Sequence, residues 1–313
     1  MSETAHAVAQ RLAQNIEQVL LGKPEVVEAL LIALFAGEHL LLEDVPGVGK
    51  TLAAKALARS IEGRFTRVQF TPDLLPSDIV GSSLYRSDRQ SFEFSPGPVF
   101  ANVVLGDEIN RAPPRTQSAL LEAMSESQVS VDGETHPLPQ PFLVVATQNP
   151  FEFEGTYLLP ESQLDRFLLR VSMGYPTREI ERNVLRSHRE GEPVNQLQPV
   201  VTLAEVTAAQ QATRQVRVDA ELVEYLLDVV HATRESDAFY VGVSTRGALS
   251  FYRACQARAL ITGRQFVIPD DIKQLAVPVL AHRILPKGMF QGADRQRVEK
   301  LISELVEGIA APA

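Results

Sequence analysis

The chain has 313 residues and a formal net charge of −9, with 45% of residues hydrophobic and 22% charged; this is globular material, long enough for a sizeable core and two domains, and it excludes a disordered chain. A single cysteine, Cys255, excludes a disulfide framework and a multi-cysteine metal site. Residues 1–175 carry 13 Lys and Arg against 22 Asp and Glu, and residues 176–313 carry 17 of each, so neither half has the basic excess of a protein dominated by nucleic-acid phosphates.

The opening residues, Met1 to His6, lack a basic-then-apolar targeting pattern, and the most apolar span, Val26 to Leu42, is broken by Glu28 and Glu38. The expectation is a cytoplasmic protein without a membrane segment. Apolar residues at helical spacing run from 6 to 21, and Gly22-Lys23-Pro24 interrupts them before a second helix near Glu25. The Leu21-Gly22 corner reads either as an adenine contact or as a plain helix–helix turn.

Leu40, Leu41 and Leu42 read as a short buried strand, and residues 51–61 have the Ala and Leu content of a helix. Between them lies Asp44-Val45-Pro46-Gly47-Val48-Gly49-Lys50-Thr51, a glycine-containing loop that opens a helix. Unpaired N–H groups and the helix dipole make such a corner a phosphate cradle. Gly47 and Gly49 let the backbone close around phosphate oxygens, Lys50 can reach the β- and γ-phosphates, and the Thr51 hydroxyl can ligate Mg²⁺. The candidate nucleotide-binding set is therefore Gly47, Val48, Gly49, Lys50, Thr51 and Leu52. Asp44 stands where the pattern G-x-x-x-x-G-K-[ST] has its first glycine.

A strand is expected over Thr66 to Phe70, and Ser83–Tyr85 with Phe92–Phe94 flank Ser87-Asp88-Arg89-Gln90 as a hairpin. Val129-Ser130-Val131 before Asp132-Gly133 signals a second hairpin. Between the hairpins an apolar strand from Ala101 ends in Asp107 and Glu108. Asp107 can hold Mg²⁺ directly or through water, and Glu108 can polarise the water that attacks a γ-phosphate. Paired acids at a strand end also occur as solvated loop residues. The apolar run Leu143 to Thr147 reads as a third buried strand ending at Gln148-Asn149-Pro150, and its Asn149 can orient water or contact phosphate, or simply form a turn. Arg166, expected on a surface helix end ahead of the strand Leu168 to Val171, reads as an arginine supplied to a neighbouring subunit's nucleotide, or as the partner of Asp165 or Glu161.

The ordered set Pro46 to Thr51, Gly106 to Met124, Ala146 to Pro150 and Leu159 to Phe167 resembles the MoxR family of AAA+ ATPases over nearly the whole chain. The stretch Asp107 to Met124 is its most specific part. The resemblance implies an α/β AAA+ P-loop core, a parallel sheet flanked by helices with two β-hairpin insertions, followed by a small all-α lid. It implies an ATP- and Mg²⁺-dependent homo-oligomer, usually a hexameric ring, that acts as a chaperone in metal insertion or complex assembly on a client protein, often with a VWA-domain partner. Lys50 and Thr51 fall in its Walker A motif, Asp107 and Glu108 in Walker B, and Asn149 at sensor 1. Arg166 is the preferred arginine finger, with Arg111 and Arg170 as alternatives. Asp44 departs from the general Walker pattern and is expected to be a local detail.

Tyr175-Pro176-Thr177 divides the chain into a core, 1–175, and a helical lid, 176–313. Thr202 and Glu205 have capping-box spacing, and Leu222, Val223, Leu226, Leu227 and Val230 line one face of a helix. Val243 to Gly247 opens a helix reaching Ile261, with Arg246 in its first turn, the place of sensor 2 in similar proteins. Pro278 is expected to kink or end the helix begun at Pro269. A magnesium-chelatase-type motor subunit, a DNA-directed motor and a slow-hydrolysing nucleotide switch are the alternative functions.

Overall fold

The computed structural model describes residues 2–150, 155–288 and 294–312. Five parallel strands form the central sheet: β1 (Leu40–Glu43), β2 (Phe65–Gln69), β3 (Val103–Asp107), β4 (Leu143–Gln148) and β5 (Leu169–Val171), in the order β5-β1-β4-β3-β2. β1, β3 and β4 are buried along their whole length, as expected of strands covered on both faces.

Side-chain alternation splits the core into two layers. Leu40, Leu42, Val103, Leu105, Leu143 and Val145 point to one face. Leu41, Val104, Val144 and Ala146 point to the other, where they meet Phe70 and Leu120. The first face is covered by α1 (Ser2–Glu17), α2 (Pro24–Ala36) and α3 (Lys50–Ser60), and the second by α4 (Pro114–Glu126). Both expected hairpins form: Gly81–Arg86 pairs with Ser91–Pro96, and Gln128–Val131 pairs with Glu134–Pro137. At the base of the first, a Cβ on Gly81 would lie 2.2 Å from Ser95 O, so the chains cross there only because position 81 has no side chain.

Beyond β5 the chain is mostly helical, with α5 (Arg178–Ser187), α6 (Leu203–Thr213), α7 (Ala220–Glu235), α8 (Thr245–Ile261), α9 (Pro269–Leu280) and α10 (Asp294–Gly308). The capping box at Thr202 and Glu205 forms as read from the sequence. Pro278 lies inside α9 two residues before its end at Leu280, and the bond it removes is the one its own N–H would make to the preceding turn. α1 packs on α6 and α2 on α8, so the first two helices join the sheet to the helical half. Arg258 of α8 strengthens that junction, reaching Glu28 of α2 at 2.9 Å and the fully buried Asp271 of α9 at 2.6 Å. Among the described residues no helix is long and apolar enough to cross a membrane.

Candidate nucleotide site

In a sheet of this order the carboxyl ends of β1, β4 and β3 lie side by side, and ligands of open parallel sheets bind at such ends. Three loops far apart in sequence therefore converge. The loop after β1 takes glycine-only geometry, with φ of 84° at Gly47 and 102° at Gly49. No described atom lies within 4 Å of where a Gly47 Cβ would be, so the loop borders open space at that residue. Gly49 then caps α3, which begins at Lys50.

Lys50 is buried, and its ammonium donates to Asp44 O and, at 3.0 Å, to Gln148 O. Two of its three protons are thus fixed by β1 and β4, which aims the head group along the sheet's carboxyl edge. Burial lowers its pKa from the usual lysine value, opposed by the charges of Asp44, Asp107 and Glu108.

Thr51 Oγ1 donates to Asp107 Oδ2 at 3.2 Å, and Thr147 Oγ1 donates to Asp107 Oδ1 at 2.6 Å. Among the described residues no group of three or more His, Cys, Asp or Glu could hold a metal alone. A hydroxyl beside one carboxylate, completed by substrate phosphates and water, is the oxygen-rich set that Mg²⁺ accepts, so these residues fit that ion.

Glu108 leaves the direction of β3 by a left-handed turn at φ 58°, unusual for a residue with a side chain, and its N–H donates to Thr147 Oγ1 at 2.9 Å. Its carboxylate accepts from Gln69 Nε2 at 2.9 Å and lies 3.0 Å from Arg111 Nε. Simple strand alternation separates the two acids in the sequence; the turn at Glu108 separates them here. Asn149 follows β4 and is buried, its carbonyl accepting from Asn110 Nδ2 at 3.3 Å.

The other expected residues stand apart from this cluster. Arg166 follows the short, unburied helix Glu161–Leu164, at a helix end as expected, and its half-buried guanidinium donates to Leu121 O at 2.5 Å and Ser125 Oγ at 2.7 Å in the last turns of α4. Neither Asp165 nor Glu161 pairs with it. Asp165 instead meets Arg283 at 2.9 Å and Ser244 Oγ, the N-cap of α8, at 3.0 Å. Arg246, in the first turn of α8, is exposed and near enough to Arg283 to oppose its charge. The two alternative arginines also make contacts within the chain. Arg170 is half-buried between Glu43 at 3.5 Å and Glu299 at 3.4 Å, which ties it to α10. Arg111 is engaged with Glu108 of its own chain. At Gly22, φ is 67° and Ile180 Cγ1 of α5 lies 2.8 Å from where a Cβ would be, so the first helix after the sheet packs against the Leu21-Gly22 corner.

Sequence reasoning missed three residues. Asp44 is no incidental departure, since its buried carboxylate accepts from Val45 N at 2.7 Å, Ser172 Oγ at 2.6 Å and Gly174 N at 2.7 Å. Burial raises its pKa, but those hydrogen bonds, from Ser172 first, outweigh burial and hold it below the usual carboxylate value. Arg67 and Gln69 of β2 reach Asp107 and Glu108 respectively. Their position two apart on a strand that ends beside the acids was the available signal.

A five-stranded parallel sheet with a phosphate-type loop after β1, adjacent acids after β3 and a helical second half defines a P-loop ATPase of the AAA+ class. The family described as "ATPase family associated with various cellular activities (AAA)" matches residues 39–169, and the AAA lid domain matches residues 231–304. The Bacillus subtilis protein YeaC is 46% identical, over 99% of this chain and 97% of its own. Chaperone MoxR1 of Mycobacterium tuberculosis is 41% identical, over 97% of this chain and 82% of its own. A crystal structure of a candidate ATPase from Cytophaga hutchinsonii superposes with a TM-score of 0.89 at 36% identity, covering 100% of this chain and 97% of that one. The chain belongs to the MoxR family of AAA+ ATPases.

Proposed function

We propose that the protein hydrolyses ATP and uses the cycle to remodel or assemble a partner protein. The observation that carries this reading is the convergence of Lys50, Thr51, Asp107 and Glu108 on the carboxyl edge of three adjacent strands, with Thr51 Oγ1 3.2 Å from Asp107 Oδ2. Gly47 to Leu52 and the Lys50 ammonium bind the phosphates. Thr51 and Asp107 hold Mg²⁺, which when bound neutralises charge on the β- and γ-phosphate oxygens. Glu108, released from Gln69, takes a proton from the attacking water. Asn149 orients that water, and Arg246 reports the γ-phosphate to α8. Arg166 serves a neighbouring subunit's nucleotide in a hexameric ring.

The division at residue 175 marks the hinge between core and lid in this reading. Lid rotation would carry force to the hairpins, and the first presents, below its polar turn at residues 87–90, an exposed aromatic pair in which Tyr85 and Phe92 pack edge-to-face at 5.4 Å, Phe92 being 73% exposed. Such a pair suits contact with an apolar protein segment. The name of the relative Chaperone MoxR1 supports a chaperone role. A VWA-domain partner and metal insertion into a client, within the cytoplasm, follow the family resemblance.

The decisive experiment is the Glu108→Gln variant, compared with the unaltered protein for ATP binding and phosphate release. The expected result is retained binding with turnover reduced by about 10² or more. Full turnover in this variant would remove Glu108 as the base, and absence of nucleotide binding in the unaltered protein would remove the ATPase reading.

A further inference from the structure

We propose that Arg67 is the resident counter-cation of the magnesium carboxylate, a positioning residue that occupies Asp107 before metal and nucleotide bind and lowers the site's apparent affinity for Mg²⁺. The inference rests on the nucleotide site proposed above. β2 runs beside β3 with Arg67 opposite Leu105 and Gln69 opposite Asp107. Arg67 and Gln69 share one face of β2, so both side chains reach past its end toward the two acids.

The geometry at Asp107 is specific. Arg67 Nη2 and Nε lie 2.7 Å and 3.1 Å from Oδ2, the same oxygen that Thr51 Oγ1 reaches at 3.2 Å. Oδ1 is engaged by Thr147 at 2.6 Å. The oxygen facing the proposed metal-ligating hydroxyl is therefore already paired with a full positive charge. Arg67 is 45% exposed and Asp107 only 9%, so the cation is free to move and the anion is fixed. A guanidinium and a divalent cation within about 5 Å of one another repel by well over thermal energy even at an effective dielectric constant of roughly 20. Arg67 must yield Oδ2 for the metal site to fill.

Its departure has a second effect. Arg67 Nη2 also donates to Gln69 Oε1 at 2.8 Å, and the same amide holds Glu108 through its nitrogen at 2.9 Å. When Arg67 leaves Asp107, the Gln69 amide loses the contact that fixes its orientation. The carboxylate that takes the metal and the proposed base are thus linked through one exposed arginine.

The test uses the full chain and two readouts independent of turnover: Mg²⁺-dependent binding of a fluorescent ADP analogue, and electron paramagnetic resonance of Mn²⁺ taken up with ADP. Arg67→Gln is expected to lower the half-saturating Mg²⁺ by about tenfold, equivalent to about 1.4 kcal/mol. Arg67→Lys, which keeps the charge, is expected to retain the unaltered value. Arg67→Ala serves as a second neutral variant if the glutamine form does not fold. An unchanged or raised half-saturation in the neutral variants, with the unaltered protein still binding nucleotide in a Lys50-dependent way, overturns the role of Arg67 and leaves the nucleotide site standing. No nucleotide binding by the unaltered protein overturns both.

Discussion

Ser172 Oγ donates to Asp44 Oδ2 at 2.6 Å, fastening the first residue of the phosphate loop to the segment that leaves β5. Gly174 N donates to the same oxygen at 2.7 Å, and Lys23 binds the carbonyls of Met173, Gly174 and Tyr175 from the other side. The phosphate loop and the segment after β5 are thereby one hydrogen-bonded unit. Asp44→Ala removes the acceptor of these part-buried donors and is expected to lower stability by about 1 kcal/mol in urea titration. Asp44→Gly completes the general loop pattern and is nevertheless expected to lose similar stability without gaining nucleotide affinity. A glycine variant as stable as the unaltered protein would show the carboxylate to be incidental.

Asp165 and Arg283 form the main charged link between the residues before β5 and the helical half. The Arg283 side chain is 1% exposed and also donates to Phe167 O at 2.7 Å and Leu168 O at 3.1 Å. Removing the carboxylate strands a buried cation, so Asp165→Ala is expected to cost about 3 kcal/mol in chemical denaturation. Ser244→Ala, which removes an N-cap while leaving the ion pair, is expected to cost about 1 kcal/mol. Equal effects of the two substitutions would contradict this ordering.

Acid sensitivity should come partly from His39. Val144 N donates to its Nδ1 at 3.1 Å, so Nε2 carries the proton and donates to Met124 O at 3.0 Å. Burial lowers its pKa from 6.5 to about 4, against a raising contribution from the Met124 carbonyl. The unfolded chain therefore binds this proton at higher pH than the folded chain. Its stabilising effect is present above pH 6.5 and falls as pH drops toward 4. Between pH 7.5 and 5 this amounts to about 2 kcal/mol. His282, pushed down by burial and by Arg283, acts in the same direction. Urea midpoints measured at pH 7.5 and 5 should move less in His39→Gln than in the unaltered protein, and an identical pH response would exclude His39.

Arg166 rests on Leu121 and Ser125 of its own chain, so a role at a neighbour's nucleotide requires it to leave them. Arg166→Ala is expected to reduce turnover by about 10³ with little change in nucleotide affinity, the scale of a trans-acting arginine. Specific activity of the unaltered protein should fall on dilution as the oligomer dissociates. Activity that is independent of concentration would assign Arg166 to the packing of α4 alone.

Much of this protein was legible in its sequence because the relevant signals are local. Strand alternation, the glycines at 47 and 49, the Thr202 cap and the Asp132-Gly133 turn each depend on neighbours a few residues away, where sterics and hydrogen bonding act directly. The phosphate loop, the hairpins and the candidate set Lys50, Thr51, Asp107, Glu108 and Asn149 could therefore be read in order, and the AAA+ class followed from the resemblance of those stretches to a known family. The tertiary structure alone decided what partners each charge. Asp44 meets residues 128 and 130 positions away, Arg67 meets an acid 40 positions away, and Arg170 meets Glu299 at 129 positions. Those pairings follow from strand order and register, which bring distant side chains within a few ångströms and bury them, and no local pattern encodes the result. The sequence thus determined the class and the candidate residues for its chemistry, whereas folding determined that Arg170 ties β5 to α10, that Asp44 anchors the loop, and that Arg67 stands on Asp107.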